Sequence, residues 1–122
     1  MKKTDKGIKR IWKAFIYSYH GFKETFKSEA AFRQEIVFCV CFEALLSCLP
    51  ISSVHLALSL FSLFFILFAE LVNTAIEALI DRIGEEYHEL SQKAKDIGSL
   101  LVLLSFINFF ILFGIILYSL VL

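Results

Sequence analysis

Residues 54–83 read VHLALSLFSLFFILFAELVNTAIEALIDRI, and the two halves of this stretch differ in character. The first half has no charged residue. The second half carries Glu70, Asn73, Glu77 and Asp81, which we call the acidic stripe. A run of this length and hydrophobicity can cross the ~30 Å hydrocarbon core of a bilayer. We therefore predict a membrane-spanning helix with a polar end.

The four residues of the acidic stripe share one face of the predicted helix. At about 100° per residue they fall within an arc of about 80°. A charged side chain inside a spanning helix costs ~2.5–3.5 kcal/mol on insertion scales, so such residues usually serve a purpose. A one-sided row of carboxylates must meet cations, protons or partner helices.

The composition of the whole chain agrees with a membrane location. The 122 residues are enough for a single domain, residues 1–122. They are 58% hydrophobic with a mean hydropathy of +0.74, whereas an ordinary domain is about 45–50% apolar. These values exclude a soluble globular enzyme, a disordered tail and a disulfide-rich secreted module. Cys39, Cys41 and Cys48 lie in or beside an apolar segment, where we expect small buried hydrophobes.

Outward from residues 54–83, the pattern predicts an all-α integral membrane protein. Apolar residues at steps of three and four, interleaved with Lys and Arg, indicate an amphipathic surface helix over about residues 6–27. Further spanning helices are predicted over 30–49 and 97–121, with a polar segment over 84–96. The first 35 residues stay basic and mixed, so no cleavable signal peptide is expected.

Charge distribution predicts the orientation. Residues 1–35 carry nine Lys or Arg and four Asp or Glu, and residues 97–122 carry no charge. The positive-inside rule puts the basic N-terminus in the cytoplasm, and three spans then put the C-terminus outside.

The residue types near the acidic stripe leave three interpretations open. Glu29 and Glu35, at the start of the first spanning helix, can approach the stripe. The surrounding cations are Arg10, Arg33, Lys93 and Lys95. Carboxylates with nearby cations suit a Mg²⁺–phosphate site. The same residues suit an ion or proton pathway, or an interhelical polar cluster.

Three segments resemble the prokaryotic diacylglycerol kinases. They are RIWKAFIYSYHGF at 10–22, EAAFRQE at 29–35 and AELVNTAIEALIDRIGEEYHELSQKAKDIGS at 69–99. The last segment looks more like the diacylglycerol-specific branch than the related undecaprenol kinases. The resemblance implies a homotrimer of three-span subunits in the bacterial inner membrane, with the C-terminus periplasmic. It also implies that ATP phosphorylates diacylglycerol to phosphatidic acid with Mg²⁺, without nucleic acid as a partner.

The resemblance also assigns roles to particular positions. Glu70 matches the general base, and Asn73 matches a polar residue that orients Glu70 or the substrate. Glu29 and Glu77 match the metal-binding pair and also belong to the nucleotide side of the site. The remaining nucleotide-side positions are Arg10, Tyr17, Glu86, His88, Lys95 and Asp96, and the lipid-side positions are Glu35, Ser99 and Glu70 itself.

Several positions have simpler interpretations. Tyr17 suits an interface anchor, His88 a solvated loop histidine, and Asp81 a helix-end anchor with Arg82. Glu43 departs from the family pattern, in which this position is apolar. We expect Glu43 to be protonated, or to form a hydrogen bond with Ser47 or Asn108. The alternative functions are an undecaprenol kinase, and a small channel or proton-coupled transporter built on the acidic stripe.

Overall fold

A computed structural model describes residues 6–122, which form four helices and contain no strand. Helix α1 spans Gly7–Ser28, α2 spans Ala30–Ser47, α3 spans Ser53–Ile83 and α4 spans Glu89–Val121. The all-α expectation is therefore confirmed for the described residues. The first three helices start and end within two residues of the predicted bounds.

Local signals explain where the helices begin and end. The Ser52 hydroxyl accepts a hydrogen bond from the amide of His55 at 3.1 Å, which caps the start of α3. Helix α3 ends at Gly84, whose φ of 156° and ψ of 167° fall in a region that essentially only glycine adopts. The Arg33 guanidinium donates to the carbonyls of Phe26 at 2.6 Å and Lys27 at 3.1 Å. Arg33 thus satisfies carbonyls at the end of α1, a role that the sequence did not indicate.

Helix α4 begins eight residues before the predicted position 97. The His88 side chain caps it, since Nδ1 accepts a hydrogen bond from the amide of Leu90 at 3.1 Å. Residues 89–96 of the predicted polar segment therefore form about two helical turns that continue into the apolar part of α4. These residues lack apolar periodicity, which is why the sequence predicts a later start of the helix.

The core lies between α2, α3 and α4. Leu63, Ile66 and Phe109 are almost completely buried, and Cys39 packs with them. Aromatic edge-to-face contacts join α2 to α4: the Phe38 ring lies 5.5 Å from the Phe109 ring, and Phe42 lies 5.2 Å from it. Cys39 is thus a small buried hydrophobe as expected, whereas Cys41 and Cys48 are exposed in the single chain.

Helix α1 stands apart from this core. Its substantial contacts are with α2, and none of its residues is buried by the rest of the chain. Its large apolar side chains, Trp12 and Phe15 among them, are exposed. The bundle of α2, α3 and α4 therefore forms without burying the apolar face of α1.

Two helices, α3 and α4, are long and apolar enough to cross a membrane. In each helix most of the apolar segment is not buried by the rest of the chain. A soluble protein would bury such surfaces, because exposed apolar patches of this extent are unfavourable in water.

Candidate active site

The acidic stripe lies on the C-terminal half of α3, and it faces α2 and α4. Glu70 is 6% exposed, which is unusual for a carboxyl group. Its carboxyl group lies in direct contact with that of Glu35 on α2. The helical period and the antiparallel pairing of α2 with α3 together place these two acids side by side.

Two further carboxyl groups surround this pair. Glu77 lies near Glu70 on the same helix, and Glu29, at the break between α1 and α2, is also close enough to act on it electrostatically. Like charges so close repel one another unless a proton or cation accompanies them. The four acids therefore form a site with excess negative charge, which we call the carboxyl cluster.

Asn73 connects the carboxyl cluster to α4. Its Nδ2 donates to Glu77 Oε1 at 3.3 Å, while its Oδ1 is buried and has no hydrogen-bond partner among residues 6–122. Gly98 of α4 packs directly against the Asn73 amide, and a methyl group at position 98 would overlap it. Sequence analysis assigns no role to Gly98. The available signal is a glycine inside a helix, which often has a packing reason.

A second group of polar residues lies farther along α3 and α4. Lys95 Nζ lies 3.6 Å from Asp81 Oδ1, and Gln92 donates to Asp96 at 2.9 Å. Asp81 therefore has a partner on α4 that the sequence analysis does not name, because α4 begins early enough to bring Lys95 beside it. Both partners of this ion pair are substantially exposed, so it contributes little to stability.

The remaining predicted positions are not brought to the carboxyl cluster within one chain. Glu86 lies in the connection over 84–88, and His88 caps α4; both are exposed. Ser99 follows Gly98 on α4 but is exposed. Arg10 and Tyr17 lie on α1, which has substantial contacts only with α2.

The two expected partners of Glu43 are also incorrect. The Ser59 hydroxyl donates to Glu43 Oε2 at 2.8 Å, whereas Asn108 donates to Ser62 at 3.1 Å. The Ser47 hydroxyl donates instead to the Ala44 carbonyl of its own helix at 2.7 Å. Sequence spacing cannot show which of two neighbouring helices a side chain meets.

The chemistry of the carboxyl cluster fits a hard divalent cation. Glu29 and Glu77 both lie close enough to act on Glu70 and offer carboxylate oxygens, and Asn73, whose Oδ1 has no partner among residues 6–122, bonds Glu77. Mg²⁺ commonly takes one or two carboxylates and completes its shell with water and substrate phosphates. Within residues 6–122, no three His, Cys, Asp or Glu side chains are grouped so as to hold a metal on their own.

Comparison with known proteins gives the family. Residues 16–117 match the prokaryotic diacylglycerol kinase family. The chain belongs to this family. It is 42% identical to the diacylglycerol kinase of Escherichia coli strain K12 over 120 residues, 98% of each chain. The diacylglycerol kinase of Pseudomonas aeruginosa is 42% identical over 97 residues, 80% of this chain and 79% of that one.

A relative with lower sequence identity also matches most of the chain. The diacylglycerol kinase of Helicobacter pylori strain 26695 is 35% identical over 109 residues, which is 89% of this chain and 85% of the relative. The family match includes the carboxyl cluster, Asn73, Gly98 and Lys95. Together with the two apolar helices, membership of this family makes the chain a membrane protein.

Proposed function

We propose that this chain transfers the γ-phosphoryl group of ATP to the primary hydroxyl of diacylglycerol, giving phosphatidic acid. The observation that carries the proposal is the buried Glu70 carboxyl, held against Glu35 inside an apolar helix of a prokaryotic diacylglycerol kinase family member. Relatives that carry the name diacylglycerol kinase, at up to 42% identity over almost the whole chain, support the choice of acceptor.

Glu70 acts as the general base. Its carboxylate takes the proton of the acceptor hydroxyl as that oxygen attacks the γ-phosphorus, and the bond from phosphorus to the β-γ bridging oxygen breaks. Glu35, in contact with Glu70, lies on the lipid side and positions the hydroxyl. Asn73 holds Glu77 through its amide nitrogen and leaves its oxygen free to orient Glu70 or the substrate.

The nucleotide lies on the opposite side of Glu70 from the lipid. Lys95 contributes positive charge beside the acidic stripe, and Asp96, Glu86 and His88 lie near it in sequence on or before α4. Glu29 and Glu77 would hold Mg²⁺, which would supply positive charge to offset the phosphate charge that otherwise repels the carboxyl cluster. Ser99 lies on the lipid side, beside the helix contact made by Gly98.

The chain crosses the inner membrane three times. Helices α3 and α4 are the apolar spans, and α2 is the third, since its 18 residues reach about 27 Å. Helix α1, with exposed aromatic and basic side chains, lies in the cytoplasmic interface. The N-terminus is then cytoplasmic and the C-terminus periplasmic, in keeping with the basic first 35 residues.

The active unit is a homotrimer in which neighbouring subunits complete each site. Nineteen residues of mostly helical chain separate Arg10 from Glu29, about 28 Å along α1, so Arg10 lies far from the carboxyl cluster of its own chain. The buried oxygens of Glu35 and Asn73 without partners also fit a site that needs further groups. Arg10 and Tyr17 therefore serve a neighbouring subunit's nucleotide.

Subunit mixing tests this arrangement. Glu70→Gln subunits and Arg10→Gln subunits, each inactive alone, should regain activity after exchange in detergent, because some mixed sites contain both native residues. Recovered activity should rise with the fraction of mixed trimers, measured with two affinity tags. Verified exchange without recovery would mean that both residues serve one site from the same chain.

A lipid phosphorylation assay tests the reaction itself. Purified protein, Mg²⁺ and ATP labelled at the γ-phosphate are incubated with diacylglycerol or undecaprenol in the same detergent system. Label should enter phosphatidic acid, and undecaprenol should be a poor acceptor. Preferential labelling of undecaprenol would assign the chain to the related kinases. No labelled lipid together with cation flux in vesicles would favour the channel or transporter.

A further inference from the structure

An apolar groove of about 410 Å³ runs along the surface between α2 and α3. Its walls are formed mainly by Ile36, Val40, Ala44, Leu60, Phe64 and Leu67. The groove also contains one carboxyl-bearing residue, Glu43. An ionisable residue at membrane depth is expensive and is by default associated with function.

Three contacts between α2 and α3 show how the groove is oriented relative to the carboxyl cluster. Glu35 contacts Glu70 at one end, and Ser59 donates to Glu43 at the other. Between them, the Cys39 thiol donates to the Leu63 carbonyl at 3.5 Å. The groove therefore starts directly below the carboxyl pair, because Ile36 follows Glu35 and Leu67 lies one helical turn before Glu70.

The position of the groove matches the path of a lipid acceptor. A diacylglycerol whose hydroxyl reaches Glu70 must extend its acyl chains away from the cytoplasm, into the hydrocarbon. The first apolar surface beyond Glu35 and Glu70 is the near end of this groove. Because the groove is continuous with the carboxyl pair, we identify its occupant as one acyl chain of the substrate.

Glu43 lies at a depth in the membrane that such an acyl chain reaches. Eight residues separate Glu35 from Glu43, which is about 12 Å along α2. One leaflet contributes about 15 Å of a ~30 Å hydrocarbon core. An acyl chain that starts near Glu35 thus reaches the Glu43 carboxyl before it reaches the bilayer midplane.

We propose that one acyl chain of the acceptor lies in the groove between α2 and α3, and that Glu43 limits the chain length that the enzyme uses efficiently. This inference rests on the proposed kinase activity. Lipid tails are as apolar as the walls of the groove, so a methylene group gains little by moving from the bilayer into the groove. A methylene that lies against the carboxyl of Glu43 is disfavoured, because it keeps a polar group from its preferred partners.

The test measures kcat/KM for a series of diacylglycerols with paired saturated chains, from about six to about fourteen carbons, so that the depth reached by the acyl chain is the variable. The lipids are presented at a fixed mole fraction in bilayer vesicles. For the native chain, kcat/KM should change little among short acceptors and should fall for acceptors long enough to reach Glu43. In Glu43→Leu this fall should disappear, so that the ratio of longest to shortest increases at least about tenfold, which corresponds to about 1.4 kcal/mol for a polar group kept from its partners.

Three further variants identify the cause. Glu43→Gln keeps a polar side chain and should keep the fall in kcat/KM for long acceptors. Ala44→Phe fills the groove from the same helix and should weaken long acceptors more than short ones, the opposite of Glu43→Leu. Asn108→Leu removes another intramembrane polar side chain, one that bonds Ser62 and does not line the groove, and should leave the length profile unchanged.

Other outcomes would overturn the proposal. If Glu43→Leu and Ala44→Phe both leave the length profile of the native chain unchanged, no acyl chain uses the groove. If they instead alter subunit association, measured by sedimentation in detergent, a second copy of the chain fills the groove. A native protein that phosphorylates acceptors of no length would contradict the kinase activity itself, whereas full activity with a flat profile contradicts only the role of Glu43.

Discussion

The polar side chains at the two ends of the bundle differ in their hydrogen bonding. Toward the turn between α2 and α3, Glu43 accepts a hydrogen bond from Ser59, and Asn108 donates to Ser62. At the other end, Glu35 Oε2 and Asn73 Oδ1 are buried without a hydrogen-bond partner among residues 6–122. Both ends are built from the same three helices, so the difference lies in how the side chains are paired.

Buried polar atoms without partners are costly, and each usually has an explanation. At the end that contains Glu43 and Asn108, which we call the partnered end, hydrogen bonds join helices and satisfy groups that would otherwise face hydrocarbon. At the end that contains Glu35 and Asn73, which we call the unpartnered end, four acids lie close together. The contrast is that expected between a structural region and a site that substrate, metal or a neighbouring subunit completes.

The largest expected effect comes from a substitution of Glu70, at the centre of the unpartnered end. Glu70→Gln keeps the shape of the side chain and removes its ability to accept a proton. Loss of a general base typically lowers the rate by ~10²–10⁴-fold. We expect kcat for diacylglycerol phosphorylation to fall by that factor while ATP binding, measured by equilibrium dialysis, changes little.

Ser59→Ala at the partnered end is the matched control, since it also removes a polar group buried in α3. It should leave kcat within about twofold of the native value, because Ser59 is remote from any transition-state charge. A loss of less than about fivefold in Glu70→Gln would show that Glu70 is not the base.

The next effect concerns the two flanking acids. Glu29→Gln and Glu77→Gln each remove one charged oxygen ligand, and even outer-shell changes at metal sites commonly cost about 10–100-fold. We expect the Mg²⁺ concentration for half-maximal activity to rise by at least about tenfold in each variant. The double variant should lose less than the product of the two single effects, because both residues act on one site.

Titration of activity against Mg²⁺ at saturating ATP provides the measurement. Glu24→Gln, which removes an exposed acid from α1, is a control for charge alone and should not change the requirement. Additive losses with an unchanged Mg²⁺ requirement would contradict a shared metal site.

Much of the fold was predictable because it follows from periodicity and length. The apolar runs and the charge-free first half of α3 fixed three helices to within two residues of their observed ends. The start of α4 was not predictable from hydropathy, because residues 89–96 are polar on most faces. The caps that decide such an end, such as the His88 side chain, depend on local geometry.

The candidate site was predictable only in part. The helical period was enough to align Glu70, Asn73 and Glu77 on one face. It could not identify Glu35 as the direct neighbour of Glu70, Lys95 as the partner of Asp81, or Ser59 as the partner of Glu43. Those pairings depend on the register between helices, which no pattern within one helix encodes.

A smaller effect tests the close contact behind the carboxyl cluster. Gly98→Ala places a methyl group where it overlaps the Asn73 amide oxygen, so this amide must shift from its present position beside Glu77. Small misplacements of positioned groups can cost up to about 10²-fold in rate. We expect kcat to fall about tenfold with the ATP KM nearly unchanged.

Gly114→Ala on the same helix is the matched control, because no atom lies near a methyl group there. It should behave like the native chain in the same assay. Equal activities of the two glycine variants would mean that the position of Asn73 does not limit the reaction.

The smallest effect is expected at the partnered end. Asn108→Ala removes the hydrogen bond to Ser62 that joins α4 to α3. Interhelical hydrogen bonds in membranes average about 0.6 kcal/mol and reach about 1.7 kcal/mol. We expect the free energy of unfolding, measured by titration from mild detergent into sodium dodecyl sulfate, to fall by about 0.6 kcal/mol. The Phe38, Phe42 and Phe109 contacts remain in place, and they keep α2 against α4.

Diacylglycerol phosphorylation should stay at the native level, because the carboxyl cluster at the far end keeps its own contacts. A loss of activity in Asn108→Ala without a matching loss of stability would show that the two ends are coupled, and the distinction between a structural end and a chemical end would then fail.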